Sequence, residues 1–427
     1  MTASSGNNRA VHVIGAGLAG LAAALTLSRT GRRVFVHEAA PQAGGRCRSF
    51  HDEALGRRID NGNHLLLSAN RAALDYLEET GAADTLVAGD GPIPFLDVST
   101  DERWSLDLGK GGFLRRLAAP ARQVPGARPW DAVGMLRLAM AGPDATVMRT
   151  LGPGPLMDRF WRPLTTAVLN TDPEEASAAL LRDVLRTILA EGGDGLLPLT
   201  ARDGLSESFV DPALATLAAR GVALRFGRRL RAIDRDGDRV TALHFQGDSI
   251  ALTGSDDVVM AVPPTVAAPL LPGMSFPQES SAILNAHFLL DQPGRLRGGG
   301  TLIGLVGGTA EWVFLRGDLA SVTVSAADRW VDNSADALLD LLWRDTAAVL
   351  DQPDAPRPPG RIIKERRATL RQTPEAARYR PPAATAWRNL VLAGDWTDTR
   401  LPATIEGAIR SGRAAATVLT FSAPEVG

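Results

Sequence analysis

The chain has a single cysteine in 427 residues, Cys47, and therefore cannot form an internal disulfide. A metal cluster held by cysteines is excluded for the same reason, and since the sequence contains no other cluster of metal ligands, we expect no metal site. Lysine is almost as rare, because Lys110 and Lys364 are the only two. This scarcity removes most candidates for a mechanism that depends on a lysine side chain.

Strong net charge and long apolar runs are also absent. Forty-six basic and 48 acidic side chains leave a formal charge of -2, so no overall field favours nucleic acid, and we expect no nucleic-acid partner. The early apolar stretch, residues 11–27, follows a single charged residue and contains spaced glycines, which argues against a signal peptide. No other stretch approaches the roughly 20 apolar residues of a membrane-spanning helix. We expect a protein that is soluble or bound at a membrane surface.

The N-terminal part contains a βαβ pattern with a glycine motif in its first turn. The predicted strand Ala10–Ile14 leads directly into Gly15, Gly17 and Gly20, which have the spacing G-x-G-x-x-G. In this motif the first glycine permits a tight turn, the second lets the backbone approach a pyrophosphate, and the third lets helix and strand pack closely. The pattern therefore predicts a dinucleotide site.

The residues around the glycines support this interpretation. Leu18 and Ala19 begin the predicted helix, whose N-terminus offers backbone donors and a positive dipole to phosphates. Glu38 follows the second strand and would accept hydrogen bonds from the adenosine ribose hydroxyls. Because its charge would repel a 2′-phosphate, NADP is disfavoured. The motif by itself leaves FAD and NAD open.

Two further blocks carry a resemblance to a known family. Gly44, Gly45 and Arg46 follow the acidic residue closely, and this arrangement resembles the N-terminal signature of FAD-dependent amine oxidases and carotenoid desaturases. In that family the glycines and the arginine run beside the FAD pyrophosphate, and the arginine neutralises its charge. The segment Gly394-Asp395-Trp396 and residues 402–412 resemble the C-terminal FAD signature. The resemblance implies further contacts with FAD: Gly394 and Asp395 near the ribityl or phosphate part, Thr404 and Ile405 at the pyrimidine edge, and Leu230 and Val262 on the adenine side.

The resemblance implies an α/β fold with a Rossmann-type FAD-binding domain, as in glutathione reductase, and a discontinuous α+β substrate domain. Because the FAD-binding blocks are far apart in sequence, the FAD-binding domain is expected to be discontinuous as well. We assign residues 1–85, 205–265 and 386–427 to it. Residues 86–204 and 266–385 are assigned to a substrate domain that faces the membrane.

Local patterns predict individual elements. Residues 71–80 predict a helix that Gly81 ends, and residues 334–350 predict a second helix. Val258–Val262 predicts a buried strand that two prolines stop.

From residue 11 to about residue 416, the chain resembles a narrower family, the squalene-associated FAD-dependent desaturases, understood as hydroxysqualene dehydroxylases of hopanoid biosynthesis. One departure is Asn63, where we expect glutamine to be common; both are amides. The resemblance implies a reductive reaction in which hydroxysqualene, reduced FAD and a proton give squalene, oxidised FAD and water. The segments that carry it are residues 60–64, 160–164, 169–171, 285–288, 367–369 and 393–399.

Departure of the hydroxyl group as water requires an acid, and motif position singles out four candidates. Asp60 and His64 share one motif, and in an extended segment the side chains at i and i+4 face the same way, so that one would set the protonation state of the other. His287 and Glu406 are secondary candidates. Each of the four also has a structural interpretation: Asp60 as a turn cap, and the others as satisfied core residues.

The implied substrate is a lipophilic isoprenoid, whose transfer from lipid to water costs on the order of 20 kcal/mol at about 0.8 kcal/mol per carbon group. The protein must therefore touch the membrane or receive substrate from a partner. We expect a cytoplasmic protein peripherally associated with the inner face of the membrane, with possible channelling from upstream enzymes of the squalene pathway. Residues 108–142 suit an interfacial docking surface, or alternatively a solvated face over ordinary core. They carry Lys110, Arg115, Arg116, Arg122, Arg128 and Arg137 against Asp131 alone, together with Phe113, Leu114, Leu117, Trp130, Met135, Leu136 and Met140.

Two alternatives stay open. A polyene desaturase or an amine oxidase would use the same FAD fingerprint, because flavin moves hydride in either direction. Many flavin amine oxidases keep a lysine near the flavin, and neither Lys110 nor Lys364 lies near the segment Asn285–Phe288, where we would expect it. A flavin-bound scaffold without catalysis is a third, remote possibility.

Overall fold

The computed structural model describes residues 9–89, 91–107, 119–191 and 197–421. In these ranges the chain forms two large sheets, three small sheets and the helices that cover them. The α-helices are α1 (Leu18–Ser28), α2 (Arg71–Thr80), α3 (Val133–Ala139), α4 (Val147–Leu151), α5 (Arg162–Leu169), α6 (Ala178–Glu191), α7 (Asp211–Ala219), α8 (Pro264–Leu270), α9 (Ala335–Val349), α10 (Pro374–Arg378) and α11 (Ile405–Phe421).

The strands are distributed along the whole chain, so both large sheets combine segments that are distant in sequence. They are β1 (Ala10–Ile14), β2 (Arg33–His37), β3 (Ser49–Asp52), β4 (Arg57–Asp60), β5 (Leu66–Leu67), β6 (Leu86–Ala88), β7 (Ile93–Asp97), β8 (Glu102–Leu106), β9 (Pro198–Ala201), β10 (Ala223–Arg225), β11 (Leu230–Asp236), β12 (Arg239–Phe245), β13 (Ser249–Ala251), β14 (Asp257–Met260), β15 (Ser280–Leu289), β16 (Leu302–Val306), β17 (Trp312–Arg316), β18 (Leu319–Val324), β19 (Gly360–Leu370) and β20 (Leu390–Leu392).

The first large sheet, called the parallel sheet below, has the order β10-β2-β1-β14-β20. Every residue of β1 is buried, as expected for a strand in a sheet that is covered on both faces. Helices α1 and α11 pack closely against each other, because a Cβ atom on Gly412 would lie 2.1 Å from the carbonyl oxygen of Ala19. The carboxyl ends of β1 and β2 thus meet beside the N-terminus of α1, where parallel α/β sheets bind nucleotides.

The second large sheet, called the mixed sheet, has the order β19-β15-β18-β17-β16-β7-β8, and within it β16 and β7 are parallel. Side chains alternate between the faces of a strand, so the two faces differ. One face packs against α9 through Ala286, Val313, Val322, Leu338 and Leu342. The other face packs partly against α5 and α6, through a cluster that includes Phe95, Leu302, Trp312, Phe160, Leu169 and Leu181.

The small sheets have the strand orders β11-β12-β13, β3-β4 and β5-β9-β6. The last of these crosses the domain boundary that the sequence predicts. Strand β9 lies in the range assigned to the substrate domain, and Leu199 pairs with Leu66 of β5, which lies in the range assigned to the FAD-binding domain. The small sheet therefore joins the two predicted domains.

The predicted local elements are largely confirmed. Helix α2 ends at Gly81, which adopts a left-handed conformation with φ +72°, and α9 begins after Ser334, whose hydroxyl accepts a hydrogen bond from the amide of Ala337 at 3.2 Å. Strand β14 is shorter than expected, and the prolines that end it also start α8 at Pro264. In the described part of the chain, every helix is too short or too polar to cross a membrane.

Candidate active site

The glycine motif forms the turn between β1 and α1, and each glycine has a different environment. Gly15 adopts φ +107°, and a Cβ atom there would lie 2.4 Å from the carbonyl oxygen of Ala261. A Cβ atom on Gly20 would lie 2.0 Å from the carbonyl oxygen of Gly15. A Cβ atom on Gly17, in contrast, would meet none of the described residues within 4 Å. The protein therefore packs against the first and third glycines and leaves space at the second, where the motif places a pyrophosphate.

The second glycine block lies directly against the first. The amide of Gly44 donates to the carbonyl oxygen of Ala16 at 2.8 Å, and Gly44 forms a parallel bridge with Gly17. A Cβ atom on Gly45 would lie 3.5 Å from the Cα atom of Gly17. The two predicted blocks thus enclose one glycine-lined space at the N-terminus of α1. Leu18 and Ala19 form the first turn of that helix.

Glu38 follows β2 and stabilises the same turn. Its carboxylate accepts hydrogen bonds from the amides of Ala16 at 2.7 Å and Ala40 at 2.8 Å. The amide of Glu38 donates to the carbonyl oxygen of Arg225 in β10. The acid is therefore held at the rim of the glycine turn, and its contact with a ribose stays a prediction.

Arg46 connects the N-terminal block with the C-terminal block. Its guanidinium lies 2.7 Å from the carboxylate of Asp395 and also donates to the carbonyl oxygen of Ala368. The Asp395 carboxylate raises the pKa of Arg46. The arginine side chain nevertheless keeps 42% of its surface accessible, and it joins the loop after β20 of the parallel sheet to β19 of the mixed sheet; we call the space beside it and the glycine turn the crevice. A fixed positive charge in a crevice lined by glycines fits a pyrophosphate.

The loop around Asp395 has supports that the sequence analysis missed. The buried guanidinium of Arg380 donates to the carbonyl oxygens of Asp395, at 2.9 Å, and Thr397, at 2.6 Å. The amide of Gly394 donates to the Ser411 hydroxyl in α11 at 2.9 Å. An isolated arginine after α10 has no sequence motif that would reveal this role. Its function depends on carbonyl groups brought to it by the fold.

The remaining predicted FAD contacts lie nearby but have structural neighbours. Thr404 accepts a hydrogen bond from the amide of Gly407 at 3.1 Å and so caps the start of α11, where Ile405 is the first residue. The carbonyl oxygen of Val262 accepts the indole N–H of Trp396 at 2.9 Å, and Leu230 is buried in the same apolar cluster. Their contacts with the flavin or the adenine stay predictions.

A chain of hydrogen bonds joins the segment between β4 and β5 to the mixed sheet; we call Asn61, Asn63, Asn285 and Thr323 the asparagine seam. The amide nitrogen of the Asn63 side chain donates to the Thr323 hydroxyl at 3.0 Å, and that hydroxyl donates to the side-chain oxygen of Asn285 at 3.0 Å. Asn285 in turn donates to the carbonyl oxygen of Asn61 at 3.4 Å. The seam fixes the segment between β4 and β5 against the mixed sheet. Asn63 participates through its amide.

Asp60 and His287 meet at this contact, but neither is free. The Asp60 carboxylate accepts hydrogen bonds from Ser49 at 2.6 Å and from the amide of Leu205 at 2.9 Å, and it lies 3.0 Å from the guanidinium of Arg316. These donors occupy both oxygen atoms of the carboxylate. Asp60 therefore has the contacts of a positioning residue.

His287 has both ring nitrogens bonded. The Nε2–H donates to the carbonyl oxygen of Asp60 at 3.0 Å, so Nδ1 must accept from the Ser321 hydroxyl at 2.8 Å. Burial lowers the pKa of His287 to about 4, which makes it a neutral, satisfied core histidine near pH 7.

The expected pairing of Asp60 with His64 is not formed. Strand β4 ends at Asp60, and residues 61–65 are irregular, so the alternation of an extended segment does not hold there. Both Asp60 oxygens bond to other groups. Burial lowers the pKa of His64 to about 4, with Asp60 exerting only a weaker opposite effect. His64 is a neutral side chain at the margin of the crevice.

Glu406 has structural contacts, and its role as an acid stays a prediction. Its two carboxylate oxygens accept hydrogen bonds from the amides of Ala72, at 3.2 Å, and Ala73, at 2.9 Å, in the first turn of α2. Arg410 lies 2.7 Å from the same carboxylate. The carboxylate thus caps the N-terminus of α2 and connects it with α11.

The sequence analysis missed Glu311, which lies just before β17. Burial raises the pKa of Glu311 to about 7, whereas hydrogen bonds from Ser325 and Thr166 lower it by less. The amide of Ser325 donates to its carboxylate at 2.7 Å. Glu311 is in none of the recognised segments, and no local signal marks it. Only the packing of α5 against β17 and β18 creates its environment.

Beside the asparagine seam, the same face of the mixed sheet is apolar. Trp312 pairs in register with Thr323, so the aromatic side chain extends the face that carries the seam. Phe95 packs on Gly304, where a Cβ atom would lie 2.4 Å from the phenyl ring, and Phe95 contacts Trp312 at a ring distance of 5.5 Å. A polar patch and an aromatic layer thus adjoin on one sheet. The described residues contain no cluster that could hold a metal.

Comparisons with known proteins agree with this arrangement. The family model of flavin containing amine oxidoreductases matches residues 18–420. A hydroxysqualene dehydroxylase of Rhodopseudomonas palustris is 47% identical over 96% of this chain and 98% of its own length. A hydroxysqualene dehydroxylase of Sinorhizobium fredii is 44% identical over 95% of this chain and 97% of its own length.

Solved structures show the same fold at low identity. An oxidoreductase from Methanosarcina mazei has a TM-score of 0.72 at 16% identity and covers 96% of this chain and 100% of its own. A cyclohexylamine oxidase from Brevibacterium oxydans has a TM-score of 0.68 at 17% identity and covers 97% of this chain and 99% of its own. Both show the architecture alone.

A sequence relative with a different activity matches less of the chain. This phytoene dehydrogenase of Streptomyces griseus is 30% identical over 57% of this chain and 54% of its own length.

Proposed function

Because this chain belongs to the hydroxysqualene dehydroxylases, within the flavin containing amine oxidoreductases, we propose that it reductively removes the hydroxyl group of hydroxysqualene and releases squalene and water. It is an FAD-dependent oxidoreductase. The observation that carries the proposal is the 47% identity that extends over nearly the full length of both chains. The placement of the reaction in hopanoid biosynthesis is part of the proposal.

The residues that would hold FAD are those of the glycine-lined crevice. The turn at Gly15 and Gly17 and the N-terminus of α1 offer amides to the pyrophosphate, and Arg46 neutralises its charge. Asp395, held by Arg380, presents its carboxylate at the same crevice. Reduced FAD, when bound, supplies the hydride for the allylic carbon of the substrate.

The rest of the site serves the substrate. The aromatic layer around Phe95 and Trp312 provides an apolar environment for an isoprenoid chain, and burial of such a chain excludes water from the reacting carbon. The asparagine seam fixes the edge of this layer against the crevice. A cationic intermediate on an allylic carbon needs such protection from water, because water would restore the alcohol.

The lysine content argues against the amine-oxidase alternative. Contrary to the expectation from the sequence, Lys364 of β19 pairs in register with Leu284, directly beside the segment Asn285–Phe288. Its ammonium group, however, donates to the carbonyl oxygen of Asn333. The segment Asn285–Phe288 itself carries no lysine, and both ends of the Asn285 amide are bonded within the seam. Lys110 lies outside the described residues.

An anaerobic single turnover tests the proposal. The holoprotein is reduced, mixed with hydroxysqualene, and followed by flavin absorbance and by chromatography of the lipid products. Formation of squalene in step with flavin reoxidation supports the dehydroxylase. Reduction of oxidised flavin by squalene or by a polyene, without turnover of hydroxysqualene, would instead establish a desaturase.

We further propose that the helix α3 and the turn before it dock on an anionic membrane. Four large apolar side chains are exposed on this one surface: Trp130 (64%), Val133 (46%), Leu136 (55%) and Met140 (77%). Gly134 and Leu138 face the core instead, so α3 has one buried side and one apolar side without a protein partner in the described chain. An exposed apolar patch of this size is unusual for a surface that faces water alone.

Charge supports a lipid partner for this surface. The exposed residues Arg122, Arg128 and Arg137 surround the patch, and the Arg128 guanidinium stacks on the Trp130 ring at 5.5 Å. Each arginine near an anionic leaflet contributes about 1 kcal/mol. The other predicted members of the segment, Lys110, Phe113, Leu114, Arg115, Arg116 and Leu117, lie outside the described residues.

Liposome flotation tests the docking surface. Replacing Leu136 and Met140 with Asp should reduce binding to phosphatidylglycerol-containing vesicles at least tenfold, because it removes about 2 kcal/mol of apolar transfer and adds negative charge. Tyr379→Ser, an exposed aromatic elsewhere on the surface, is the matched control. Equal flotation of the double variant and the wild type would refute the proposal.

We also propose that the protein binds the cytoplasmic leaflet of the membrane and that upstream enzymes deliver the substrate to it directly. Co-flotation with such an enzyme would test the direct delivery.

A further inference from the structure

The proposed reaction needs a proton at the departing hydroxyl group, and each of the four candidates recognised in the sequence has other partners or a low pKa. The carboxylates of Asp60 and Glu406 are each occupied by an arginine and by backbone amides. His287 has both nitrogens bonded, and the low pKa of His64, about 4, leaves it without a proton to donate near neutral pH. A group with fewer partners is a better candidate.

Glu311 differs from these groups in its partners. The amide of Ser325 donates to one carboxylate oxygen at 2.7 Å. The hydroxyl of Thr166 in α5 donates to the carbonyl oxygens of Arg162 and Pro163, and its presence also lowers the pKa of Glu311. No arginine or lysine of the described residues pairs with it, and Asp172 is the charged group that faces it, with an effect that favours the protonated form. A carboxyl group in such surroundings keeps its proton near neutral pH.

The position of Glu311 connects it with the substrate face of the mixed sheet. Its amide donates to the carbonyl oxygen of Thr323 at 3.1 Å, so it lies one hydrogen bond from the asparagine seam. Burial is the main cause of its raised pKa, and the residue is nevertheless partly exposed.

The neighbouring residue provides an independent observation. The indole N–H of Trp312 is buried and has no hydrogen-bond partner among the described residues. The hydroxyl of Thr165 in α5 is also buried without a hydrogen-bond partner. Buried donors without partners are rare in folded proteins and often await a ligand. The hydroxyl oxygen of a substrate bound beside β17 would accept a hydrogen bond from the Trp312 indole.

We propose that Glu311 is the general acid that protonates the departing hydroxyl group of the substrate. This inference rests on the proposed function. The C–O bond breaks with both electrons on oxygen, the proton of Glu311 completes the leaving water, and the hydride supplied by reduced FAD forms the new C–H bond. Glu311 then regains a proton from solvent, which balances the overall reaction of alcohol, reduced flavin and one proton.

Single-turnover kinetics of the reduced holoenzyme across pH 5.5 to 9 test this role. In the wild type, the rate of flavin reoxidation by hydroxysqualene should fall as the pH rises above about 7. Glu311→Gln should lower the rate by about 10²- to 10⁴-fold and remove this pH dependence, with flavin content and substrate binding to the oxidised holoenzyme retained. Glu311→Asp should keep a titrating profile. Glu279→Gln, at an exposed carboxylate, is the control.

Two further measurements separate acid catalysis from a structural role. Thr166→Val removes a hydroxyl group that lowers the pKa of Glu311, so the falling limb of the rate profile should move to higher pH. In infrared difference spectra of the unloaded protein, a protonated carboxyl band should titrate near pH 7 in the wild type and be absent from Glu311→Gln. A Glu311→Gln rate within fivefold of wild type, with the same pH profile, would overturn the proposal. A wild type that makes no squalene would instead refute the proposed function.

Discussion

A methyl group added at Gly17 should have a different effect from one added at Gly20, although both glycines belong to one motif. At Gly20 the new carbon would lie 2.0 Å from the carbonyl oxygen of Gly15, more than 1 Å inside ordinary contact, and the obstacle is backbone that cannot rotate away. Separation of α1 from the turn should cost about 1 to 3 kcal/mol or more in folding free energy. Gly20→Ala should therefore destabilise the protein without FAD.

At Gly17 none of the described residues opposes the methyl group. The backbone there has φ -74°, which alanine adopts freely, and the loss of a few tenths of a kcal/mol at a helix N-cap is offset by lower entropy of the unfolded chain. The free energy of unfolding of the unloaded protein should change by less than about 1 kcal/mol. The methyl group would, however, occupy the space of the pyrophosphate. Loss of one charge-assisted hydrogen bond, about 1.5 to 3 kcal/mol, corresponds to FAD binding that is weaker by roughly 10- to 150-fold.

Denaturant unfolding of the unloaded protein and titration of FAD by flavin fluorescence measure the two effects separately. Gly254→Ala, whose new methyl group would likewise meet no described residue within 4 Å, is the matched control for the change of residue type. If Gly17→Ala bound FAD as tightly as the wild type, the open space would not be the pyrophosphate site. Destabilisation of the unloaded Gly17→Ala protein to the level of Gly20→Ala would refute the packing argument.

Three further predictions concern stability and cofactor retention. Burial lowers the pKa of His12 to about 4 and that of His37 to about 3, whereas a histidine of the unfolded chain has a pKa near 6.5. The free energy of unfolding should therefore be highest above pH 6.5 and fall as the pH drops towards 4, by on the order of 2 kcal/mol at pH 5 for one such histidine. A free energy of unfolding that does not change with pH would contradict this prediction. Glu406→Ala should lower the unfolding temperature, because two backbone amides of α2 lose their hydrogen-bond acceptor. The folded holoenzyme should keep its turnover; loss of turnover without destabilisation would show that Glu406 acts as an acid. Arg380→Met should release the carbonyl groups of the Asp395 loop and weaken FAD retention measured by gel filtration, whereas unchanged retention would show that the loop holds its shape unaided.

The cofactor site was predictable because its signals are local. A tight turn, a close approach and a helix start each demand glycine at a fixed spacing, so the motif at Gly15, Gly17 and Gly20 is visible without a fold. Arg46 and Asp395 were also recognisable by their motifs. The 2.7 Å ion pair between them depends on the tertiary structure and could not be predicted from either motif.

The acid candidates show the opposite case. Asp60, His287 and Glu406 were chosen by motif position, and the structure surrounds each with partners that neutralise or occupy it. Most of these partners, including Arg316, Ser321 and Ala73, come from segments that are more than 30 residues away, which sequence spacing does not reveal. Glu311 was overlooked for the same reason, because its unusual protonation depends on burial by α5 and β18.

The amino-acid sequence by itself determined the family and the cofactor and predicted where FAD binds, because glycine and charge requirements of a dinucleotide site act over a few neighbouring residues. Only the tertiary structure decided which ionisable groups keep a proton and which apolar side chains stay exposed. Protonation depends on desolvation and on charges that long-range packing brings together. The exposed surface at Trp130 and Met140 likewise depends on which side of α3 the core covers.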